Sequence, residues 1–473
     1  MRALVEVRGR RVAVVGLGKS GLSVLRFVLR HGGDAIGCDD RDAAALAPAL
    51  ASLGGLRPRL VLGGLHTEPL LESDLIVLSP GVPPSREPLA QARAAGIPIT
   101  GEIELASRFV HAPIVGITGT NGKSTVTSLC GLIAAEAAQE RGAQSFCGGN
   151  LGTPLIDAVG TPAAGPDGIV VCELSSYQLE TVETFHCRAA AILNLTPDHL
   201  DRYPSLAAYG DAKARIARNM TATDVLIWNG DDPEVAALLA RNLSAADGPR
   251  QLRFSTRSQA RENAGVVVGD ELRLRLPEGE ESYPIAELQI VGRHNLANAL
   301  AAFLLMRASG LATYEQVRRA ARSFVALPHR MQLVAEVRGI RYYDDSKGTN
   351  VDAVVAGLDG FPRPLALIAG GRDKGGSYAP LRAVLEQGTT RGLVLIGEAA
   401  PLIAAAFSGV KFPVRQAATL EAAVTEATSL CQSGDAVVLS PACSSFDMFR
   451  DYAHRAAVFA QAVGQLPAAA EAS

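Results

Sequence analysis

Residues 113–133 read PIVGITGTNGKSTVTSLCGLI, and this stretch decides the fold. A β-branched apolar run leads into Gly116, Gly119 and Gly122, then Lys123 and Ser124, and a helical pattern follows. The spacing differs from G-x4-G-K-[ST] only in where the first glycine is counted. The physics of that motif is retained: successive backbone N–H groups cradle phosphates, the lysine reaches the terminal ones, and the hydroxyl ligates Mg²⁺. A strand–loop–helix unit of this kind predicts a nucleotide-binding α/β domain.

Working downstream, IVVCELSSYQLE (169–180) places Glu173 at the end of a buried strand, where an acidic metal ligand belongs. Next, AAAILNLTPDHLDRY (189–203) is another apolar strand, ending in Asp198, His199, Asp201 and Arg202. One such cluster is ordinarily a polar loop. Two of them at strand ends after a phosphate loop predict a divalent-metal site of oxygen and imidazole ligands.

Working upstream, VAVVGLGKSGLSVLRFVLRHGGDAIGCDD (12–40) carries Gly16, Gly18 and Gly21 between a strand and a helix, with Asp39 18 residues after Gly21. Read alone this is a Rossmann dinucleotide fingerprint and suggests a nicotinamide oxidoreductase. The glycines, however, only let backbone approach a pyrophosphate at a helix N-terminus, so a UDP-sugar suits the same geometry. LIVLSPGVPP (75–84) ends in a turn able to close over such a ligand. A third α/β segment begins near LPHR (327–330) and contains YYDDSKGTN, LALIAGGRDKGG, LVLIGE and AVVLSPACSSFDMF, again strands ending in polar glycine-rich turns.

Composition sets the bounds. The chain has 473 residues, 48% of them hydrophobic, and a formal net charge of −3. Nothing in that balance favours a nucleic-acid surface, and no apolar run reaches the ~18 residues of a membrane span. Seven scattered cysteines without a CxxC read as reduced, mostly buried thiols of a cytoplasmic protein. The Ala-rich tail from Pro467 reads as frayed, and 245–285 reads as charged and irregular, with no function assigned. Lysine is scarce: six among 45 Lys and Arg together, five of them within motifs (Lys19, Lys123, Lys213, Lys347, Lys374), with Lys411 the exception. Unlike the permanently charged guanidinium, an amine can lose its proton and react.

ITGTNGKST, ELSSYQLE, NLTPDHLDRY, YGDAKARI, GRHNLANA, LPHR, DDSKGTN and LSPACSSFDMF occur in that order. The series resembles the Mur ligases, ATP-dependent amide-forming enzymes of peptidoglycan precursor synthesis, from about residue 9 to 460. GLGKSG, Asn121 in the phosphate loop, the lack of a DNPR-like motif and the LSPACSSFDMF signature resemble the member that adds D-glutamate to UDP-N-acetylmuramoyl-L-alanine.

The resemblance implies three domains: Rossmann-like 1–101 for the UDP-muramoyl substrate, a P-loop ATPase-like domain over 102–326 with a mainly parallel sheet, and Rossmann-like 327–473 for glutamate. It implies that Gly18, Lys19, Ser20, Asp39, Arg41, Gly81 and Asn150 meet the UDP-substrate, Asn150 and His199 being toward its muramoyl–alanine end or its metal. Gly119, Thr120, Asn121, Gly122, Lys123, Ser124 and Thr125 hold the ATP phosphates, and Asn295, Asn298, Arg330 and Asp345 serve the nucleotide. Ser124 and Glu173 bind one Mg²⁺; Lys213, carbamylated by CO₂, joins His199 at a second. Lys347, Thr349, Lys374, Ser445 and Tyr452 meet glutamate or the γ-phosphate. Catalysis falls to Lys123, Glu173, His199, Lys213 and Lys347, in a monomer that neither binds nucleic acid nor inserts in a membrane. Arg372 and Asp373 ahead of Lys374, and Ser444 where the family commonly has a small apolar residue, depart from the pattern. A nicotinamide oxidoreductase leaves TGTNGKST unexplained, and a binding or transport NTPase leaves Lys213, Lys347 and Lys374 unexplained. A sibling ligase adding another amino acid is the nearest competitor, with a folate polyglutamate ligase, which needs no UDP fingerprint.

Overall fold

The computed structural model describes residues 7–243, 248–288, 292–325, 327–359 and 361–467. The expected frayed tail beyond Pro467 lies outside them. Three sheets follow one another along the chain. The first comprises β1 (Arg11–Val15), β2 (Asp34–Asp39), β3 (Arg59–Leu62), β4 (Leu75–Leu78) and β5 (Ile99–Gly101), all parallel, in the order β3-β2-β1-β4-β5. The order reverses between β1 and β4, so the crevice at their carboxyl ends is the ligand position of a doubly wound sheet. GLGKSG follows β1 and SPG follows β4 there, and Ser79 Oγ donates to the Gly16 carbonyl at 2.6 Å, tying the two turns together.

The second sheet comprises β6 (Ile114–Thr118), β7 (Ser145–Gly149), β8 (Ile169–Glu173), β9 (Ala189–Ile192), β10 (Val225–Asn229), β11 (Arg250–Ser255), β12 (Asn263–Val268), β13 (Glu271–Leu276) and β14 (Gly279–Pro284). Its order is β14-β13-β12-β11-β10-β9-β6-β8-β7, parallel except for the two antiparallel pairings of β12–β13 and β13–β14. The segment 245–285, expected to be irregular, is therefore four strands among its described residues. In β13, Leu272, Leu274 and Leu276 are buried while Glu271, Arg273 and Arg275 are not. That period of two marks a half-buried strand, and the charges on its other face hid it. By contrast β6, β8 and β9 are buried end to end, as central strands covered on both faces must be.

The third sheet comprises β15 (Gln332–Val337), β16 (Ile340–Asp344), β17 (Leu365–Gly370), β18 (Thr390–Ile396), β19 (Val414–Gln416) and β20 (Ala436–Leu439). Its order is β15-β16-β20-β17-β18-β19, parallel apart from β15 on β16. Two apolar layers cover its faces, one around Leu367, Leu381 and Ile403, the other around Ile368, Val424 and Phe459. The chain forms two compact units, one of 1–195, 207–288 and 296–324, the other of 196–206, 289–295 and 325–473. Among the described residues no helix is long and apolar enough to cross a membrane.

Candidate active site

In the first sheet, Gly16 turns with φ +89 and the helix Lys19–Arg30 begins directly after Gly18. The third glycine is needed for packing: a Cβ on Gly21 would stand 1.9 Å from the Gly16 carbonyl oxygen. Lys19 is exposed, and Ser20 follows it on the first turn. Asp39 ends β2 nearly buried and accepts from the Leu17 amide at 2.6 Å, from the Arg41 amide at 2.9 Å and from Arg41 Nε and Nη2 at 2.8 Å. The Arg41 guanidinium, with the Leu17 amide, holds the Asp39 carboxyl down at about 2, so it is a carboxylate across the physiological range. Asp39 and Arg41 thus form one rigid unit beside the glycine turn, with Gly81 on the SPG turn after β4.

The phosphate loop lies after β6. Gly122 is left-handed at φ +83, where a side chain is strained, and a Cβ there would stand 2.4 Å from Asn298 Oδ1 and push that carboxamide aside. The helix Lys123–Glu140 starts at the next residue, with Ser124 and Thr125 buried in its first turn. Lys123 Nζ donates to the carbonyls of Gly119 at 2.9 Å and Thr120 at 2.8 Å. β8 and β9 flank β6, so Glu173 and the NLTP segment reach the same end of the sheet as the loop. Glu173 is 2% exposed; its Oε1 accepts from Asn150 Nδ2 at 2.7 Å, and its Oε2 is buried without a hydrogen-bond partner. Asn150, which the resemblance places at the UDP-substrate, braces this carboxylate.

Lys213, on the helix Leu206–Ala214, is 1% exposed. Its Nζ donates to the Gly119 carbonyl at 2.8 Å and lies 4.3 Å from the centre of the Tyr209 ring. Sequence reasoning passed over Asn194, two residues beyond β9. Its Oδ1 accepts from the amides of Asn121 at 2.7 Å and Thr120 at 3.0 Å, and its Nδ2 donates to the Asn121 carbonyl at 3.0 Å. The signal available was its place in NLTPDH, directly after an apolar strand.

Among the described residues no group of three or more His, Cys, Asp or Glu is gathered to hold a metal. The orphaned Glu173 Oε2 is nevertheless a hard oxygen at the same end of the sheet as the Ser124 hydroxyl, and suits Mg²⁺, which takes few protein ligands and completes its shell with phosphate and water. Lys213 as an amine supplies no oxygen; a carbamate on it would.

In the second unit, the turns after β16, β17 and β20 carry DDSKGTN, GGRDKGG and SPACSS on three neighbouring strands. Asp198 gathers partners there: Lys374 Nζ at 3.2 Å, Asn350 Nδ2 at 3.4 Å and the His199 amide at 3.0 Å. His199 itself is left-handed at φ 56, with Nε2 3.7 Å from Asp198 Oδ2. Lys347 Nζ lies 5.6 Å from the centre of the Tyr452 ring, and Tyr452 opens the helix Tyr452–Gly464. Thr349 donates its amide to the Lys347 carbonyl at 3.0 Å, and Ser445 is buried. Burial pushes the Asp345 carboxyl up to about 7 against a 2.5 Å bond from Ser440 Oγ and the charge of Arg330. Asn295 lies on the first turn of the helix Arg293–Ala308, and Asn298, further along it, belongs to the first unit. The departures Arg372 and Ser444 pair with each other through backbone, at 3.0 Å in both directions, locking GGRDKGG to SPACSS. The Arg372 side chain meets Glu398, and Asp373 accepts from Tyr378 Oη at 2.7 Å.

A phosphate loop with a strand-end glutamate, a UDP-type glycine turn and a third α/β sheet with lysine-bearing turns define an ATP-dependent ligase of three domains, and the chain belongs to the Mur ligase family. Three family models match it: "Mur ligase MurD-like, N-terminal domain" over residues 10–101, "Mur ligase middle domain" over 117–306 and "Mur ligase, glutamate ligase domain" over 329–443. Among curated proteins it is 44% identical to the UDP-N-acetylmuramoylalanine–D-glutamate ligase of Trichlorobacter lovleyi, covering 98% of this chain and 100% of that one. It is 45% identical to the enzyme of the same name from Geobacter metallireducens, covering 98% and 99%. Solved structures share the fold: a UDP-N-acetylmuramate–alanine ligase from Thermotoga maritima, with TM-score 0.60 and 18% identity over 96% of this chain and 99% of that one. A MurF ligase from the same organism in complex with ADP gives 0.57 and 16% over 98% and 97%.

Proposed function

We propose that this chain joins D-glutamate to UDP-N-acetylmuramoyl-L-alanine at the expense of ATP, giving ADP and phosphate, in peptidoglycan precursor synthesis. The full-length likeness to the D-glutamate ligases supports it, and the observation that carries it is the buried Lys213 amine on the phosphate loop at Gly119. A simple phosphate-loop ATPase has no use for a second buried lysine there.

The sequence of steps follows from the charges. The ATP γ-phosphoryl group passes to the alanine carboxylate, forming an acyl phosphate; the glutamate amine attacks its carbonyl carbon, and phosphate leaves the tetrahedral intermediate. Carboxylate and triphosphate repel, so cations must offset them. Gly119 to Thr125 bind the phosphates and Lys123 reaches the terminal ones. Ser124 and Glu173 would hold Mg²⁺, whose charge would offset that of the phosphoryl group. A carbamate on Lys213 would supply an oxygen ligand to a second ion. Asn295, Asn298, Arg330 and Asp345 orient the nucleotide; Gly18, Lys19, Ser20, the Asp39–Arg41 unit and Gly81 hold the uridine diphosphate. Lys347, Thr349, Lys374, Ser445 and Tyr452 orient glutamate through its carboxylates.

We set the domains at 1–101, 102–326 and 327–473, each containing one of the three sheets. We propose a cytoplasmic setting, in keeping with scattered cysteines that form no CxxC. The test is phosphate release from ATP with UDP-N-acetylmuramoyl-L-alanine, adding D-Glu, L-Glu, L-Ala or diaminopimelate in turn. D-Glu alone is expected to stimulate release; no stimulation by any of the four would end the ligase reading.

A further inference from the structure

We infer that Asn194 is the positioning residue of the phosphate loop: its carboxamide fixes the backbone of Thr120 and Asn121 and thereby sets the affinity for nucleotide phosphates. The inference rests on the reading of Gly119–Thr125 as an ATP-phosphate loop.

Asn194 touches two consecutive residues, Thr120 and Asn121, at four places. Its Oδ1 accepts from both amides, its Nδ2 donates to the Asn121 carbonyl, and its own carbonyl accepts from Thr120 N at 3.1 Å. Two N–H groups facing one side-chain atom and a carbonyl facing the other dictate the amide orientation. A carboxylate could serve the two amides but has no proton for the carbonyl. A hydroxyl is too short to span both positions. Asn is therefore the compact side chain whose donor and acceptor match this stretch.

The clamp is itself anchored. Asp232 Oδ2 accepts from the Leu195 amide at 2.9 Å, while its Oδ1 caps the helix Pro233–Asn242 through the amides of Glu234 at 2.9 Å and Val235 at 3.2 Å. The cap of one helix thus fixes the residue after Asn194, and Asn194 fixes the loop that opens another. Asn121 directly precedes left-handed Gly122, so rotation of the 120–121 peptide would carry through to the amides at the start of the helix Lys123–Glu140. Those amides are what a phosphate loop presents to its ligand.

The test titrates MgADP into the full-length protein by calorimetry, alongside steady-state kinetics. Asn194→Ala is expected to raise the Kd for MgADP about tenfold or more, the loss expected of two to three hydrogen bonds. The KM for ATP should rise with it, while the KM values for UDP-substrate and D-glutamate and the kcat at saturating ATP stay within about twofold. Asn194→Asp should also bind MgADP more weakly, because a carboxylate would face the Asn121 carbonyl with no proton to donate. An Asn194→Ala protein binding MgADP within twofold of the parent, or losing all three KM values together, would overturn the inference. Should that variant not fold, hydrogen exchange on the parent without nucleotide decides: a protected Asn121 amide upholds the clamp, and its exchange at the free-peptide rate overturns it. A parent that fails to bind MgADP at all refutes the phosphate-loop reading itself, a result distinct from any difference between variants.

Discussion

Lys213 and Lys123 meet at a single acceptor, the carbonyl oxygen of Gly119, with Nζ distances of 2.8 and 2.9 Å. Lys213 makes this contact from a position 1% exposed. An amine so placed can lose its proton and add CO₂, which a guanidinium cannot. Lys213→Arg is expected to abolish ligation, while Lys411→Arg, on exposed surface, leaves it unchanged. With ¹³C-bicarbonate, the parent should show a carbamate carbonyl resonance that Lys213→Arg lacks. An active Lys213→Arg enzyme would sink the carbamate.

Asn150 presents Glu173 rather than merely lining a substrate. Its 2.7 Å bond fixes Oε1 and leaves Oε2 for a cation. Removing a partner that orients a metal ligand costs about 10- to 100-fold in metal affinity. Asn150→Ala should accordingly raise the Mg²⁺ concentration for half-maximal activity by at least about tenfold. If only the KM for the UDP-substrate moved, the orienting role would be wrong.

Gly122→Ala offers a steric test. The added methyl would collide with Asn298 Oδ1 and force a β-carbon into a left-handed turn. We expect MgADP binding to fall by about two orders of magnitude, since strain of about 1–3 kcal/mol adds to the clash. Binding close to parental levels would show that the loop adopts another conformation.

Glu102 gives a pH signature away from the chemistry. It is buried at the start of the helix Glu102–Ser107, with Oε1 on the Ile156 amide at 2.7 Å and Oε2 without a partner. Burial pushes its carboxyl up to about 7. The folded state holds this proton more tightly than the unfolded chain, so the contribution is full below the unfolded value near 4.5 and is lost as pH rises through about 7. The total is at most about 3 kcal/mol. Glu102→Gln should thus gain in melting temperature relative to the parent between pH 5.5 and 8.5. A constant difference across that range would refute the buried acid.

Local rules explain what could be read in advance. The glycines and Lys123 announce a phosphate loop because backbone and ligand constrain them within seven residues, and Glu173 follows from the strand before it. Asn194 escaped because its role arises only when β9 pairs beside β6, bringing together residues 73 apart. The same is true of Asp198 and Lys374, which are 176 apart. The contact of Asn150 with Glu173 likewise arises only because β7 lies against β8. In 250–284 the alternation of Leu with Arg and Glu was a strand signal, masked by charge on the open face.

That charged hairpin has one more consequence. β14 is the outer rim of a nine-stranded sheet, and a long sheet edge is a template on which other chains can grow. Here the rim reads GEESYP, with Glu280 facing Arg273 and Arg275, and Glu281 gripping Arg307. An incoming strand would have to desolvate those ion pairs and would find Pro284 without an amide to share. The rim thus reads as an insulator, built against edge-to-edge pairing with another chain.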